Sequence, residues 1–197
     1  MVQTVGFVDK FGEDPSVGTS AFVDIRGENA NKVYLTSAET MTVVSDDALD
    51  DAGTAAGGAH TIVLQGLDAN WDEQEETVTM DGTNGVVTSK TWIRVNRLFV
   101  DEIGTHSSGT NVGVITCTQT SSGNIEVEIL AGVGQSFNAE WTVPLNQIAK
   151  IKYFWANIGK NEDAIIRFIT RENGKAWRTR TEIKLYQNEL KLHYQNY

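Results

Sequence analysis

One segment of the chain is acidic enough to suggest metal chemistry. Residues 46–60 contain Asp46, Asp47, Asp50 and Asp51 among glycine and alanine residues. A compact loop with several carboxylate oxygens is the kind of site that binds Ca²⁺. The spacing differs, however, from the alternating aspartate loop with its closing glutamate. A solvated loop or a short helical turn is therefore the favoured interpretation, and no metal site is expected.

A second acidic stretch follows Trp71 and contains Asp72, Glu73, Glu75 and Glu76. An exposed indole could stack on a sugar, and two carboxylates held about 5 to 10 Å apart across a cleft could hydrolyse a glycosidic bond. Carboxylates that are neighbours in sequence give no evidence of such a cleft. Because a large indole is usually mostly buried, Trp71 is predicted to cover one end of a core, with sugar stacking as the alternative.

The single cysteine and the three histidines do not indicate a catalytic centre. Cys117 shares a strand face with Gly113 and Ile115, which predicts a buried and inert thiol, and one cysteine excludes an intrachain disulfide framework. Each histidine lacks a partner at metal-ligand spacing. His60 is predicted to lie in a loop, and His106 and His193 are predicted to lie on the surface. No catalytic residue and no cofactor are expected.

The elements around these positions have the pattern of an all-β protein. The chain has 18 glycines, 2 prolines and many short runs of alternating apolar residues, with no helical periodicity between them. The predicted strands cover residues 20–25, 33–36, 39–45, 61–67, 77–80, 86–87, 91–101, 112–118, 125–130, 148–158, 164–170, 176–183, 183–186 and 190–197.

Several details of these strands can be compared with a structure. Asp81-Gly82 and Asn84-Gly85 predict a tight turn after which residues 86–87 return along strand 77–80, and Asn173-Gly174 predicts a hairpin. Strand 91–101 is predicted to bury Ile93, Val95, Arg97 and Phe99. Strand 125–130 is predicted to expose Glu126 and Glu128.

Short strands at regular spacing, without internal repeats, predict a two-sheet antiparallel β-sandwich of jelly-roll type. Residues 1–19 are predicted to form an N-terminal arm, and residues 20–197 a single sandwich domain. No run is long and apolar enough to span a membrane, and the first residues lack the pattern of a secretory signal.

The net charge of −10 is unevenly distributed along the chain. Through Lys90 there are 16 acidic and 4 basic side chains, and from Thr91 onward there are 10 and 12, so the first part carries −12 and the second +2. An acidic protein lacks the cationic footprint that binding to nucleic-acid phosphates or anionic lipids requires. Neither nucleic acid nor a membrane is therefore expected as a partner.

The last third contains basic residues interleaved with aromatic ones. This composition could indicate stacking on single-stranded nucleic acid, but alternating Arg and Lys are also typical of the wet face of a strand. A protein–protein interface is the more plausible function, because Arg, Tyr and Trp are enriched at interface cores. The predicted interface residues are Tyr153, Trp155, Arg167, Arg171, Trp177, Arg178 and Arg180.

A succession of short sequences carries a family resemblance. It comprises Lys10-Phe-Gly, the runs 37–45, 52–68 and 76–83, Arg94-Val-Asn-Arg and Thr142-Val-Pro. Together they resemble a family of virion proteins of tailed phages, common in marine bacteriophages, over about Lys10 to Tyr194. The resemblance implies a non-enzymatic structural protein of the virion, such as a capsid decoration or a head or tail accessory protein.

The same resemblance implies particular partners. The chain is expected to form a homo-oligomer, with a trimer among the expected states, and to contact phage capsid or tail proteins. The alternative is a carbohydrate-binding module or the receptor-contacting part of a phage fibre, which would use an exposed indole of Trp71, Trp155 or Trp177. The family pattern extends past Tyr197, which implies that further residues follow the last strand.

Overall fold

The computed structural model describes residues 8–18, 21–27, 31–159, 163–186 and 190–194. These residues form eleven strands and no helix, all strand pairs are antiparallel, and the predicted all-β class is thereby confirmed. The strands are β1 Met41–Ser45, β2 Ala59–Leu67, β3 Glu73–Thr79, β4 Val86–Val87, β5 Arg94–Ile103, β6 Ile115–Gln119, β7 Ile125–Ile129, β8 Tyr153–Asn157, β9 Ala164–Thr170, β10 Arg178–Leu185 and β11 Leu190–Tyr194.

The chain divides into two compact units, Met1–Gln147 and Ile148–Tyr197. The predicted single domain over residues 20–197 spans both, and each unit is described separately below. Within the described ranges, no helix is long and apolar enough to cross a membrane.

The first unit contains a four-stranded sheet in the order β4-β1-β6-β7 and a three-stranded sheet in the order β3-β2-β5. Side chains alternate between buried and half-buried along β1 and β6, as expected for strands with one face toward a core. Both sheets contribute to one apolar cluster, which includes Met41, Val43, Ile62, Leu64, Trp92, Leu98, Ile115, Cys117, Val127 and Ile129.

A bulge in β5 reverses the face that the sequence predicts as buried. Gln65 pairs with Arg97, but the next residue, Gly66, pairs with Val95, so Asn96 is an extra residue on β5. An extra residue shifts the alternation by one position. Val95 and Leu98 therefore both lie in the core, and the predicted burial is wrong for Arg97 and Phe99, which are only half-buried.

A second bulge, in β7, buries a residue predicted to be exposed. Cys117 pairs with Val127, while Thr118 pairs with Ile125, which leaves Glu126 as the extra residue. Glu126 is fully buried and Glu128 is half-buried, so the prediction that both are exposed is wrong. Burial disfavours the charged form and raises the pKa of the Glu128 carboxyl, although the nearby Arg26 opposes this effect.

Other strand boundaries also differ from the prediction. Val86–Val87 pairs with β1 instead of returning along β3. β3 begins at Glu73, inside the acidic stretch where no strand is predicted, because it pairs with β2 from Thr61 to Leu67. Residues 21–25 and 33–36 are not strands, and the predicted start at Ser20 lies outside the described residues.

The second unit consists of two ribbons of two strands each, β9–β10 and β8–β11. The predicted hairpin at Asn173-Gly174 is confirmed, since Arg178 pairs with Thr170 and Gly174 has a φ of +70°, the conformation that glycine supplies in tight turns. β8 is shorter than predicted because residues 148–152 do not pair with another described strand.

Candidate interaction surface

The second unit has a small apolar core. One side of β8 packs against one side of the β9–β10 ribbon, and the rings of Phe154 and Phe168 lie 6.1 Å apart between centroids. Among the described side chains, the buried members of this core are Ala156, Ile183 and Leu185, and the partly buried ones packed against them are Phe154, Ile158 and Ile166.

The opposite side of β8 presents aromatic residues to solvent. Tyr153 is 53 % exposed and Trp155 is 49 % exposed. They alternate with the inward-facing Phe154 and Ala156, as successive residues of a strand do. This aromatic face, defined as Tyr153 and Trp155, therefore lies on the side of β8 that faces away from the core.

The outer side of the β9–β10 ribbon is charged. Arg167 and Glu182 are paired across the strands, and Arg167 Nε lies 2.7 Å from Glu182 Oε2, with about two-fifths of each side chain exposed. Arg180 Nε donates a hydrogen bond of 2.7 Å to Thr170 Oγ1. Each of these contacts is local to the ribbon.

The turn of the ribbon carries an Arg–Trp stack. The guanidinium of Arg171 lies 4.5 Å from the centroid of the Trp177 ring, and Trp177 remains 45 % exposed. Arg178 is exposed at the start of β10. The structure thus joins Arg171 to Trp177, but it places the seven predicted interface residues on two opposite outer sides and a turn, instead of on one patch.

The aspartate-rich segment of the first unit binds backbone amides. Asp50 is fully buried and accepts hydrogen bonds from the Ser45 hydroxyl and from the amides of Ala59, Val112 and Gly113, all between 2.7 and 2.9 Å. Asp46 accepts a bond of 2.7 Å from the amide of Val114. The carboxylates thus hold the ends of the sheets together, and among the described residues no three His, Cys, Asp or Glu side chains form a metal-binding group.

The carboxylates around Trp71 also accept hydrogen bonds from backbone amides. Asp68 Oδ1 accepts the amide of Asp72 at 3.0 Å, and this backbone hydrogen bond is the main reason why the pKa of Asp68 is lowered. Glu76 accepts the amides of Ser89 and Lys90. No pair of carboxylates from this stretch lines either of two surface depressions, whose ionisable residues are Asp9 and Arg97.

Trp71 is half-buried. The guanidinium of Arg94 lies over two rings, 4.9 Å from the Trp71 centroid and 5.0 Å from that of Tyr34. Trp71 also has a φ of +66°, which is uncommon for a bulky residue. The Arg94 guanidinium thus covers one face of the Trp71 indole.

The structure describes the side chains of the single cysteine and of two histidines. Cys117 is fully buried, as predicted, and burial raises the pKa of its thiol far above the ordinary value. His60 lies in β2 and is half-buried, so the prediction that it is a loop residue is wrong, and its Nε2 lies 3.0 Å from the carbonyl of Thr54. His106 Nδ1 lies 2.9 Å from Ser108 Oγ. The side chain of His193 lies outside the described residues.

Sequence reasoning missed a buried polar cluster in the first unit. Lys32 Nζ lies 3.1 Å from Glu126 Oε2 and 3.4 Å from Glu140 Oε1. Lys10 donates to Asn138 Oδ1 at 2.9 Å. A lysine in an arm and a glutamate in an alternating strand look like surface residues, and the bulge that turns Glu126 inward has no sequence signature.

The chain was compared with models of protein families, with curated proteins and with solved structures, and nothing matches.

Proposed function

We propose that the chain is a non-enzymatic structural protein of a bacteriophage virion, a capsid decoration or a head or tail accessory protein, that assembles with copies of itself. The phage assignment is supported by the resemblance of residues 10–194. Self-assembly is supported by the second unit, where Tyr153, Trp155 and Trp177 are about half exposed while the core has three buried side chains among those described.

The energetics of two-stranded ribbons support this proposal. An isolated two-stranded ribbon is at best marginally stable in water, and three or more strands or a packed layer are needed for independent stability. The second unit has two such ribbons, and the layer in which they pack together has only three buried core side chains among those described. A partner that covers the aromatic face of Tyr153 and Trp155 would supply the missing apolar contact.

The proposed occupant of this face is the same face of a second copy. Each ribbon leaves strand edges that pair with no other described strand, and an unpaired edge readily pairs with another chain. A two-fold axis would bring Trp155 of one copy against the aromatic face of the other, as self-complementary interfaces require. Tyr and Trp are also the residues most enriched at interface cores.

We further propose that the first unit is a jelly-roll sandwich. Its two sheets share one core, and β1 lies between β4 and β6, which are distant from one another in sequence. Such non-sequential neighbours are typical of Greek-key and jelly-roll connections.

Sedimentation of the full chain over a range of concentrations tests self-assembly. The unmodified chain is expected to form an oligomer, and Trp155→Ser together with Tyr153→Ser to shift it toward monomer. Val87→Ser, at an equally exposed apolar position on β4 of the first unit, is the matched control and should leave the oligomer unchanged. A chain that remains monomeric at the highest concentration would overturn the proposed assembly.

Particle labelling tests the virion assignment separately. An antibody raised against the chain should label intact particles of a phage whose genome encodes it, at a regular position on the head or the tail. Absence of the chain from purified particles, in the presence of a known capsid protein as a positive control, would rule the assignment out.

The exposed Trp155 and Trp177 also fit the second candidate function, a carbohydrate-binding module. Indoles that are about half exposed can stack on sugar rings. A glycan array distinguishes the two functions, because a binding module would lose glycan signal in Trp155→Ser while its oligomeric mass stays constant.

A further inference from the structure

Lys10 places an amine against a buried amide. Its Nζ donates to Asn138 Oδ1 at 2.9 Å and also to the backbone carbonyl of Asn96. The Asn138 side chain is almost completely buried, and its Nδ2 donates to the same Asn96 carbonyl at 3.4 Å. The amine and the amide are thus held side by side by a common acceptor, although they are 128 positions apart in sequence.

A carboxyl group lies on the other side of this amide. Glu140 Oε1 is 3.5 Å from Asn138 Nδ2 and 3.4 Å from Lys32 Nζ. Glu140 Oε2 accepts a hydrogen bond of 3.3 Å from the Tyr34 hydroxyl. The carboxyl is therefore fixed in place next to the nitrogen that an attack on the amide carbon would expel.

The surroundings also favour the reactive form of the amine. Burial, together with the positive charges of Arg97 and Lys32, lowers the pKa of Lys10 to about 7, and the Glu140 charge opposes this shift. A large fraction of the amine is consequently neutral near neutral pH, and a neutral, desolvated lysine is a nucleophile.

We propose that Lys10 and Asn138 form an intramolecular isopeptide bond, with Glu140 as the group that carries the proton. The lone pair of Lys10 Nζ attacks Asn138 Cγ, and Glu140 accepts a proton from the attacking nitrogen. Glu140 then returns this proton to Nδ2, the Cγ–Nδ2 bond breaks, and ammonia leaves. One amide replaces another, so no oxidant or other co-reactant is required.

Positioning is the reason why this reaction can proceed without an enzyme. Two groups held in a near-attack arrangement react far faster than the same groups free in solution, and a positioned acid–base group lowers the barrier further. The bond would tie the N-terminal arm to the segment after β7 and would enclose most of the first unit in a covalent loop. This inference is independent of the proposed function.

The intact mass of the full chain, measured after denaturation, tests the proposal. The unmodified chain is expected to be lighter than its sequence mass by one ammonia molecule, and a protease digest should contain a branched peptide that joins Lys10 to Asn138. Lys10→Arg retains the positive charge but lacks a nucleophilic amine, so it should have the full sequence mass. Glu140→Gln retains the shape and should form the bond slowly or not at all.

The Lys10→Arg variant also distinguishes the isopeptide bond from a competing reaction. Cyclisation of Asn138 onto its own backbone expels ammonia as well, but that loss would persist in Lys10→Arg and would give no branched peptide. The proposal is overturned if the unmodified chain, shown to be folded by circular dichroism, has its full sequence mass. It is equally overturned if the mass loss survives in Lys10→Arg.

Discussion

Lys32 and Glu126 form an ion pair of 3.1 Å inside the first unit, with 3 % and 1 % of their side chains exposed. Gln119 Nε2 donates to the other oxygen of Glu126 at 2.6 Å, and Arg26 donates to the Glu126 carbonyl at 2.8 Å. The bulge that turns Glu126 inward thus brings a charge into the interior together with the groups that neutralise it.

Removal of one partner of this pair is expected to destabilise the chain strongly. Lys32→Met leaves the Glu126 charge buried without its cation, which typically costs about 3 to 5 kcal/mol. Urea unfolding followed by tryptophan fluorescence measures the change. The control is Arg167→Met, which breaks the exposed pair with Glu182 and should cost less than about 1 kcal/mol. Equal effects of the two substitutions would contradict this account.

Asp50 is expected to be the most sensitive of the aspartates in residues 46–60. Asp50→Ala leaves three backbone amides and one hydroxyl without their acceptor, and each unsatisfied buried group costs about 1 to 3 kcal/mol. We expect a loss of several kcal/mol in the free energy of unfolding, or failure to fold. Asp46→Ala, at an exposed residue that accepts one amide bond, should cost about 1 kcal/mol. A tolerated Asp50→Ala would show that the segment is held by other contacts.

Gly12 is expected to tolerate no side chain. A Cβ at this position would lie 2.3 Å from the Cβ of Ala139, so Gly12→Ala must displace the arm. Overpacking of this kind typically costs about 1 to 3 kcal/mol. A Cβ at Gly18 would have no heavy atom within 4 Å, so Gly18→Ala should change stability by less than about 1 kcal/mol. Thermal unfolding of the two variants provides the comparison, and identical transition temperatures would argue against a docked arm.

Formation of the Lys10–Asn138 bond is expected to accelerate as pH rises. Only the neutral amine attacks, and the pKa of about 7 means that its fraction increases through this pH and levels off above it. The charged groups that set this value are Arg97 and Lys32, which lower it, and Glu140, which raises it. The measurement is the initial rate of ammonia loss between about pH 6 and about pH 8. It starts from chain that has never folded, such as chain made by chemical synthesis and kept in denaturant, whose full sequence mass shows that the bond has not yet formed. The folded fraction at each pH is the control, and a rate that falls with pH would contradict the mechanism.

The sequence predicts where the strands of this protein lie better than it predicts which of their side chains are buried. Alternation correctly places Cys117 in the core, and the Asn-Gly turn correctly predicts the β9–β10 hairpin. Both depend only on neighbouring residues. The burial of Leu98 and Glu126 depends on bulges, whose positions are set by pairing with distant strands. A one-residue shift reverses every face that follows, so local alternation could not reveal it.

The candidate sites show the same limit. The composition of the last third predicts that Arg171 and Trp177 belong to a protein–protein interface, and this stays a prediction. The structure adds that the two side chains stack on each other. No pattern links Lys10 to Asn138, because contact between them results from the path of the arm across the first unit. A reaction between residues that are distant in sequence can be inferred only from the folded structure.

Two basic side chains of the first unit, those of Arg26 and Lys32, donate hydrogen bonds to backbone carbonyls of the sheets. Arg26 donates to the carbonyls of Ile125 and Glu126, and Lys32 donates to that of Val95. A carbonyl is present whatever residue carries it. Mutations that change the identity of Ile125 or Val95 therefore leave these acceptors in place, so these hydrogen bonds put no constraint of their own on which side chains evolve at those two positions.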